Sequence, residues 1–219
     1  LESFAEIIAH LRAPDGCPWD RQQTPQTLRR YLLEETYEAL EAIDQHNPQR
    51  LKEELGDLLL QVVLQAQVAS EAEQFTLSEV IAHIYAKMIR RHPHVFGDVR
   101  GASAEQVEAN WESIKRDEKG DGAAAASFFA DFADIPKGLP ALAEAEDMQS
   151  RAGRVGLWNV TDAEAQASAE RAWRAWQENP NAQSLGDALF ALVELARRSE
   201  LDAESALREA NRRFAASLA

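Results

Sequence analysis

The segments "LLEETYEALEAID" at 32–44 and "LKEELGDLLLQVV" at 51–63 decide the fold. In both segments apolar residues recur every three or four positions, which is the spacing of one face of an α-helix. An Asn47-Pro48 pair separates the two segments, and proline favours the first turn of a new helix. The two segments therefore predict a pair of antiparallel helices joined by a short turn.

Acidic side chains interrupt the apolar stripes of these two helices. Glu35 lies in the apolar stripe of the first helix, with Glu38 beside it, and Glu54, Asp57 and Gln61 form one polar stripe through the leucine-rich belt of the second. An unpaired buried carboxylate loses several kcal/mol of solvation or takes up a proton, and neighbouring carboxylates repel one another. Because a bound cation removes both costs, the pattern predicts a metal site.

The spacing and the donor type indicate which metal. E-x-x-E on one helix and E-x-x-D on the next place two carboxylates per helix opposite each other, and oxygen donors favour Mg²⁺ or Mn²⁺ over Zn²⁺. One such acidic pair alone would indicate only a solvated helix face, whereas two pairs on consecutive helices favour the metal site. Glu34, Glu41 and Glu53 flank the stripes and are expected to be solvated or paired, although Glu53 could reach the metal or its water.

The rest of the chain also favours an all-α fold, because few segments alternate with the period of two that is typical of strands. Helices are predicted at about 2–12, 25–45, 48–71 and 77–91, and a four-helix bundle is the economical arrangement. The His-Pro-His at 92–94 predicts the end of the fourth helix rather than a transition-metal site.

Composition excludes several partners. The chain has 219 residues and a formal net charge of −14, which argues against DNA, RNA or an anionic membrane as a partner. No segment approaches the roughly 20 apolar residues of a transmembrane helix, and no signal peptide is recognised. Cys17 is the single cysteine, so no disulfide within the chain is expected. We therefore expect a soluble cytoplasmic protein in which a phosphate-bearing ligand requires a cation.

Five blocks in order carry a resemblance to a known family: "GCPWDRQQT", "YLLEETYEALEAID", "LKEELGDLLLQVV", "KMIRRHPHVFGD" and "NWESIKRDEK". Over about residues 1–119 the chain resembles the MazG family of nucleoside triphosphate pyrophosphohydrolases, within the all-α NTP pyrophosphatase superfamily. The resemblance implies Mg²⁺-dependent cleavage of nucleoside triphosphates between the α and β phosphates, and assembly as a homodimer. It also implies that the metal-binding carboxylates, one of which helps to activate water, are Glu35, Glu38, Glu54 and Asp57.

The resemblance further implies a basic and aromatic part of the site. Lys87 and Arg91, four residues apart on the fourth helix, would contact the triphosphate and offset charge that develops during cleavage. Trp111 and Lys115 match a family segment that approaches the nucleotide. Trp111 either stacks on a base or packs within the protein, and the sequence leaves both readings open.

The sequence repeats itself weakly. "ELGDLLLQVVLQAQ" at 54–67 resembles "SLGDALFALVELAR" at 184–197, and "EVIAHIYAKM" at 79–88 resembles "SALREANRRF" at 205–214. An internal duplication is the natural interpretation.

The second half of the chain keeps some sequence blocks of the family but lacks most of its acidic residues. "LPAL" at 139–142 and "RVGLW" at 154–158 are similar to blocks of two-domain members. Where a second E-x-x-E is expected the chain has "AERAWRAWQ" at 169–177, and Ser184 replaces the Glu that should precede Asp187. We therefore expect tandem four-helix-bundle domains: a catalytic domain at 1–119, a linker at 120–144, and a degenerate domain at 145–219 that serves dimerisation, packing or regulation.

Two classes of function follow. The first is a nucleoside triphosphate pyrophosphohydrolase that cleans the nucleotide pool, with its site in the N-terminal domain and its preferred base left open. The "GCPWD" and "RRHPHVFGD" blocks disfavour narrower activities such as cleavage of dUTP or phosphoribosyl-ATP. The alternative is a non-catalytic nucleotide-binding or interaction module. The complete acidic set, together with Lys87 and Arg91, favours the enzyme.

Overall fold

Helices account for all the regular structure in the part of the chain that the computed structural model describes, namely residues 2–97, 103, 106, 107, 110, 111, 114, 132 and 135–218. Ten helices and no strands lie within these ranges, which confirms the predicted all-α class. The chain divides into two compact units, Leu1–Gly120 and Asp121–Ala219. The predicted catalytic domain, linker and degenerate domain stay a prediction in their exact bounds.

The helices of the first unit are α1 (Glu2–Arg12), α2 (Pro18–Arg21), α3 (Pro25–Asp44), α4 (Pro48–Glu71), α5 (Leu77–Arg91) and α6 (Pro93–Phe96). The helices of the second unit are α7 (Ala141–Arg154), α8 (Asp162–Glu178), α9 (Ala182–Arg198) and α10 (Ala203–Ser217). The bounds predicted for α1, α3, α4 and α5 agree with these to within one residue.

Local capping explains where the long helices of the first unit begin. The Thr24 hydroxyl accepts a hydrogen bond from the backbone N–H of Thr27, and Asn47 Oδ1 accepts one from the N–H of Arg50, with a proline following each cap. Thr76 and Glu79 form a reciprocal capping box at the start of α5. These side chains satisfy backbone donors that would otherwise lack partners, so the start of each helix is encoded locally.

The core of the first unit lies where α1 and the start of α3 meet the C-terminal half of α4. Its buried side chains are Ile8, Leu28, Val63 and Leu64. α3 packs along α4 as a hairpin, and α1 and α5 pack against α4. The acidic pairs lie toward the other end of this hairpin, so the apolar core holds the two helices together while the opposite end carries the polar side chains.

The apolar stripes are only partly buried, which corrects the expectation that they all face a core. Leu32 on α3 and Leu55, Leu59 and Val62 on α4 are exposed. The reason is that α4 is apolar on almost every side, whereas the helices packed on it within this unit cover only part of its circumference.

A buried arginine fixes α1 to α4 and to the loop before α3. The Arg12 side chain is only 6% exposed, and its Nη2 lies 2.7 Å from Oε2 of Glu71 at the end of α4. The same guanidinium donates hydrogen bonds to the backbone carbonyls of Asp20 and Gln23. Because its several donors are engaged in a fixed geometry, Arg12 orients the loop that precedes the α3 hairpin.

The second unit repeats the order of the long helices of the first. α8 and α9 pack together as a hairpin, α7 packs against α9, and α10 packs against both α7 and α9. In both hairpins a glycine lies one residue before an aspartate: Gly56 in α4 and Gly186 in α9. A β-carbon placed on either glycine would meet no atom within 4 Å apart from its chain neighbours and the backbone of its own helix.

Among the described residues, none of the helices combines the length and the apolar character that crossing a membrane requires.

Candidate metal centre

Three carboxylates from two helices meet across the α3–α4 hairpin. Glu35 and Glu38 lie on α3, Glu54 lies on α4, and one oxygen from each can be chosen so that the three atoms lie within 4.8 Å of one another. Within the described ranges, no second group of three His, Cys, Asp or Glu side chains comes as close. The hairpin therefore brings together three of the four acids that the sequence identified.

The three carboxylates differ in their exposure to solvent. Glu54 is buried, Glu35 is half-buried and Glu38 is exposed. The cluster is thus an open site at the protein surface with one buried acid at its base, rather than an enclosed pocket. The sequence expectation that the acids occupy buried faces is correct for Glu54 and wrong for Glu38, because α3 and α4 leave the outer side of their hairpin uncovered.

Crowding of like charges raises the pKa of two of these groups. Partial burial is the largest cause of the raised pKa of Glu35, followed by the negative charges of Asp57, Glu38 and Glu54. For Glu38 the nearby charge of Glu54 is the largest cause of the raised pKa, followed by loss of hydration and a hydrogen bond shared with Glu54. The metal-free cluster therefore favours protons, and a cation would compete with those protons.

Asp57, the fourth predicted acid, is not part of this trio. It lies one turn after Glu54 on the same helix and is exposed. Its charge is nonetheless the second cause of the raised pKa of Glu35, which places it on the same side of the hairpin. Asp57 thus extends the acidic surface from the trio toward solvent.

The structure adds one residue that the sequence analysis did not identify. Arg50, one turn before Glu54 on α4, donates from Nε to Glu54 Oε1 over 3.2 Å and from Nη2 to Glu41 Oε2 on α3 over 2.7 Å. The hydrogen bonds to Glu54 and Glu41 also raise the pKa of Arg50. The four-residue spacing of Arg50 and Glu54 was visible in the sequence, whereas the contact with Glu41 depends on the register of the hairpin.

The donor set fits a hard divalent cation. It consists of carboxylate oxygens alone, the oxygens lie close enough to share one ion, and their mutual repulsion is only partly offset by Arg50. Glu53 is exposed and accepts a hydrogen bond from Gln49 Nε2 over 3.1 Å, so it lies on the flank of α4 and outside the trio.

The predicted basic and aromatic residues lie on or near α5. Lys87 is half-buried on this helix, and Arg91 is its last residue. The Trp111 ring packs edge-to-face on His92, which directly follows α5, with ring centroids 5.3 Å apart. Trp111 and Arg91 therefore lie near the same end of α5, while Lys115 lies outside the described residues.

Comparison with known proteins gives consistent matches. Residues 23–96 match the family model described as the MazG nucleotide pyrophosphohydrolase domain. The chain is 42% identical over 219 residues to the nucleoside triphosphate pyrophosphohydrolase/pyrophosphatase MazG of Thermotoga maritima, covering 98% of this chain and 82% of that protein. It is 40% identical over 224 residues to the nucleoside triphosphate pyrophosphohydrolase of Escherichia coli K12, and this match covers 98% of this chain and 84% of that protein.

A third relative is longer. The uncharacterised protein YabN of Bacillus subtilis is 41% identical over 222 residues, a match that covers 98% of this chain and 44% of YabN. The similarity to all three relatives thus spans both units of the chain.

Proposed function

The chain belongs to the MazG nucleotide pyrophosphohydrolase family, and on that premise we propose that it hydrolyses nucleoside triphosphates to nucleoside monophosphates and pyrophosphate at the acidic cluster of the first unit. The observation that carries this proposal is the approach of Glu35, Glu38 and Glu54 to within 4.8 Å across one hairpin. Such a cluster suits a ligand that brings a divalent cation together with several phosphate oxygens.

Glu35, Glu38, Glu54 and Asp57 would hold Mg²⁺, or Mn²⁺ in its place. When bound, such an ion neutralises phosphate charge and lowers the pKa of a water molecule, which is the chemistry that phosphoanhydride hydrolysis requires. The trio supplies the close oxygens, and Asp57, which is exposed, would face the substrate or the attacking water.

The remaining residues bind the substrate in this proposal. Lys87 and Arg91 lie four residues apart on α5 and would bind the triphosphate, where their positive charges offset the charge that develops on the leaving pyrophosphate. Trp111 and Lys115 would approach the nucleoside. Glu53 lies on the flank of α4 and would take part in nucleotide binding by reaching the metal or its water. Arg50 touches no reacting atom and acts by holding Glu54 in place.

A product assay tests the activity. The protein is incubated with each common and modified nucleoside triphosphate and Mg²⁺, and the monophosphate and pyrophosphate are separated and quantified. We expect equal amounts of both products and no free orthophosphate. Lack of product with every triphosphate at high enzyme concentration would overturn the proposal in favour of a non-catalytic nucleotide-binding or interaction module.

We also propose that the protein is a homodimer that associates through the first unit, which leaves packing or regulation, the other two roles expected of the degenerate domain, to the second unit. Exposed apolar side chains follow one face of α4 at Leu55, Leu59 and Val62, and one face of α5 at Ile81 and Ile84. Apolar faces of this kind are typical of surfaces that a second chain covers. A second copy of this chain is the partner that the symmetry of most soluble oligomers favours.

Light scattering during size-exclusion chromatography tests the dimer. The unmodified protein is expected at twice the mass of one chain, and the double variant Leu59→Asp, Ile84→Asp at the mass of one chain. Ile43→Asp replaces an equally exposed apolar residue on α3 and should leave the dimer intact. A monomeric unmodified protein would contradict the proposal. The predicted cytoplasmic location, and the predicted lack of nucleic-acid and membrane partners, stay predictions.

A further inference from the structure

The second unit contains a cavity of about 470 Å³ between α8, α9 and the residues that follow α7. This volume lies within the roughly 300–1,000 Å³ that is usual for small-molecule sites. The lining residues that matter for its chemistry are Trp158, Ser168, Arg171, Asp187 and Phe190. All of them belong to one unit and lie in the described part of the chain.

The cavity lies on a hairpin that corresponds to the acidic hairpin of the first unit. By the sequence repeat, Ser184 and Asp187 on α9 correspond to Glu54 and Asp57 on α4. Ser184 and Asp187 line a smaller depression that shares Arg171 with the cavity. The facing helix offers Ser168 and Arg171 to this depression, and no carboxylate. The counterpart of the acidic cluster has therefore kept only the carboxylate of Asp187 and gained a cation.

The other two acids that line the cavity already have partners. Glu194 is buried and lies 2.8 Å from Arg197 Nη2, with Arg198 as a second partner. Glu164 accepts hydrogen bonds from the backbone N–H and hydroxyl of Thr161 at the start of α8. Neither carboxylate is left to hold a divalent ion.

Arg171 and Asp187 differ from these acids in having no partner. Both residues are exposed, and among the described residues neither side chain forms an ion pair or a hydrogen bond. By contrast Arg174, one turn further along α8, pairs with Glu170 over 3.6 Å. The cavity wall thus carries one guanidinium and one carboxylate that remain available to a ligand.

An aromatic wall completes the cavity. The rings of Trp158 and Phe190 meet edge-to-face with their centroids 6.1 Å apart, and both rings are more than a third exposed. A partly exposed indole next to a cavity offers a surface on which a flat ring can stack.

From these features we propose that the cavity binds a nucleoside monophosphate without a metal ion. The base stacks on Trp158 with Phe190 at its edge, the phosphate pairs with Arg171, and an N–H edge of the base donates to Asp187. The Ser168 hydroxyl suits a sugar hydroxyl. A triphosphate fits poorly, because it brings far more negative charge than one arginine offsets, and Asp187 is the single carboxylate without a partner in the described lining of the cavity.

The inference goes beyond the proposed hydrolysis and does not require it. If the first unit hydrolyses triphosphates, its product is the ligand of the second unit, so the second site would report the concentration of product. If the first unit is inactive, the second site still binds monophosphates. The two proposals therefore fail independently.

Calorimetric titration in EDTA tests the site. The full chain carrying Glu38→Gln, which disables the cluster of the first unit, is titrated with AMP, GMP, CMP and UMP. We expect one binding event per chain for at least one of these nucleotides, and at least about tenfold weaker binding of the matching nucleoside without its phosphate. No heat at millimolar nucleotide would overturn the proposal. So would equal binding of the nucleoside, or binding of aromatic amino acids in place of nucleotides.

Matched variants test whether the nucleotide binds in this cavity. Arg171→Gln should weaken binding about tenfold or more, and Trp158→Leu should weaken it as well. Arg174→Gln removes a surface cation from the same helix and should leave the dissociation constant unchanged. Circular dichroism and the melting temperature establish that each variant is folded. Unchanged binding in folded Arg171→Gln would overturn the assignment.

Discussion

Arg50 donates a hydrogen bond of 3.2 Å from Nε to Oε1 of Glu54, the one buried acid of the cluster. Its other end holds Glu41 on α3, so one side chain both fixes the acid and ties the two helices together. The first unit thus contains its own counter-ion at the place where a divalent cation is proposed to bind.

Replacing this counter-ion should make the first unit depend more strongly on metal. Arg50→Gln removes the positive charge beside Glu54, so we expect a melting temperature several degrees below that of the unmodified protein in EDTA. Added Mg²⁺ should raise the melting temperature of the variant more than that of the unmodified protein, because the ion then offsets charge that Arg50 had offset. Arg30→Gln breaks only an exposed pair with Glu34 and serves as the control. An equal response to Mg²⁺ in both variants would contradict the role of Arg50.

Loss of the negative charge of a single metal-binding acid should strongly reduce hydrolysis. Glu54→Gln and Asp57→Asn keep the size of each side chain and remove its charge, so we expect kcat/KM to fall by more than the roughly 10–100-fold that is typical of residues one step removed from a metal. Glu34→Gln removes one charge next to Glu35 on α3 and should retain activity within a few-fold. Comparable losses in all three variants would mean that net charge, rather than these oxygens, matters.

The crowded acids should destabilise the metal-free protein in a pH-dependent way. Because the pKa of Glu38 is raised in the folded state, the folded protein binds more protons than the unfolded chain between the ordinary value of 4.5 and the raised value. The free energy of unfolding therefore falls as pH rises through this window, and the penalty is complete above it.

Glu38→Gln removes this penalty. In EDTA the variant should melt at a higher temperature than the unmodified protein at neutral pH, and the difference should shrink as the pH falls toward 4.5, the ordinary value for a glutamate. With Mg²⁺ the unmodified protein should have the higher melting temperature, because it alone then gains the full binding energy of the ion. Scanning calorimetry across this pH range measures both differences. If the difference in melting temperature in EDTA instead grows as the pH falls, the pKa of Glu38 is not raised in the folded state.

The buried Arg12 should be the most sensitive charged residue of the first unit. Arg12→Ala removes the charged donor shared by Glu71 and the carbonyls of Asp20 and Gln23, so we expect the free energy of unfolding to fall by about 2 kcal/mol, less than for a fully buried pair because Glu71 is partly exposed. Arg21→Ala, which removes one exposed hydrogen bond to the carbonyl of Pro14, is the matched control. Urea denaturation followed by circular dichroism compares them, and similar midpoints for both variants would contradict the role of Arg12.

The sequence was sufficient for the helices of the first unit because their starts depend on local chemistry. Thr24, Asn47 and Thr76 each cap a helix within three residues of their own position, so no tertiary information is needed to find them. Spacing alone also indicated that acids of α3 and α4 lie on facing sides of one hairpin. Helical periodicity determines which face of each helix carries the acids, and the short turn makes the two helices neighbours.

Features that depend on packing could not be obtained in this way. The exposure of Glu38 and Leu59 follows from how much of α3 and α4 their neighbours cover, and the sequence does not specify that coverage. The bond from Arg50 to Glu41 depends on the register of the hairpin, and the edge-to-face contact of Trp111 with His92 joins two separate segments. Such contacts require knowledge of the tertiary structure.

The two open glycines have a practical use. Gly56 and Gly186 lie within helices where a β-carbon would touch nothing, and glycine weakens a helix interior by roughly 1 kcal/mol relative to alanine. Gly186→Ala therefore offers a more stable background in which destabilised variants of the second unit can be purified and compared. Gly56 lies between two acids of the metal site, and Gly56→Ala would reveal whether the substrate needs the space that a methyl group would occupy.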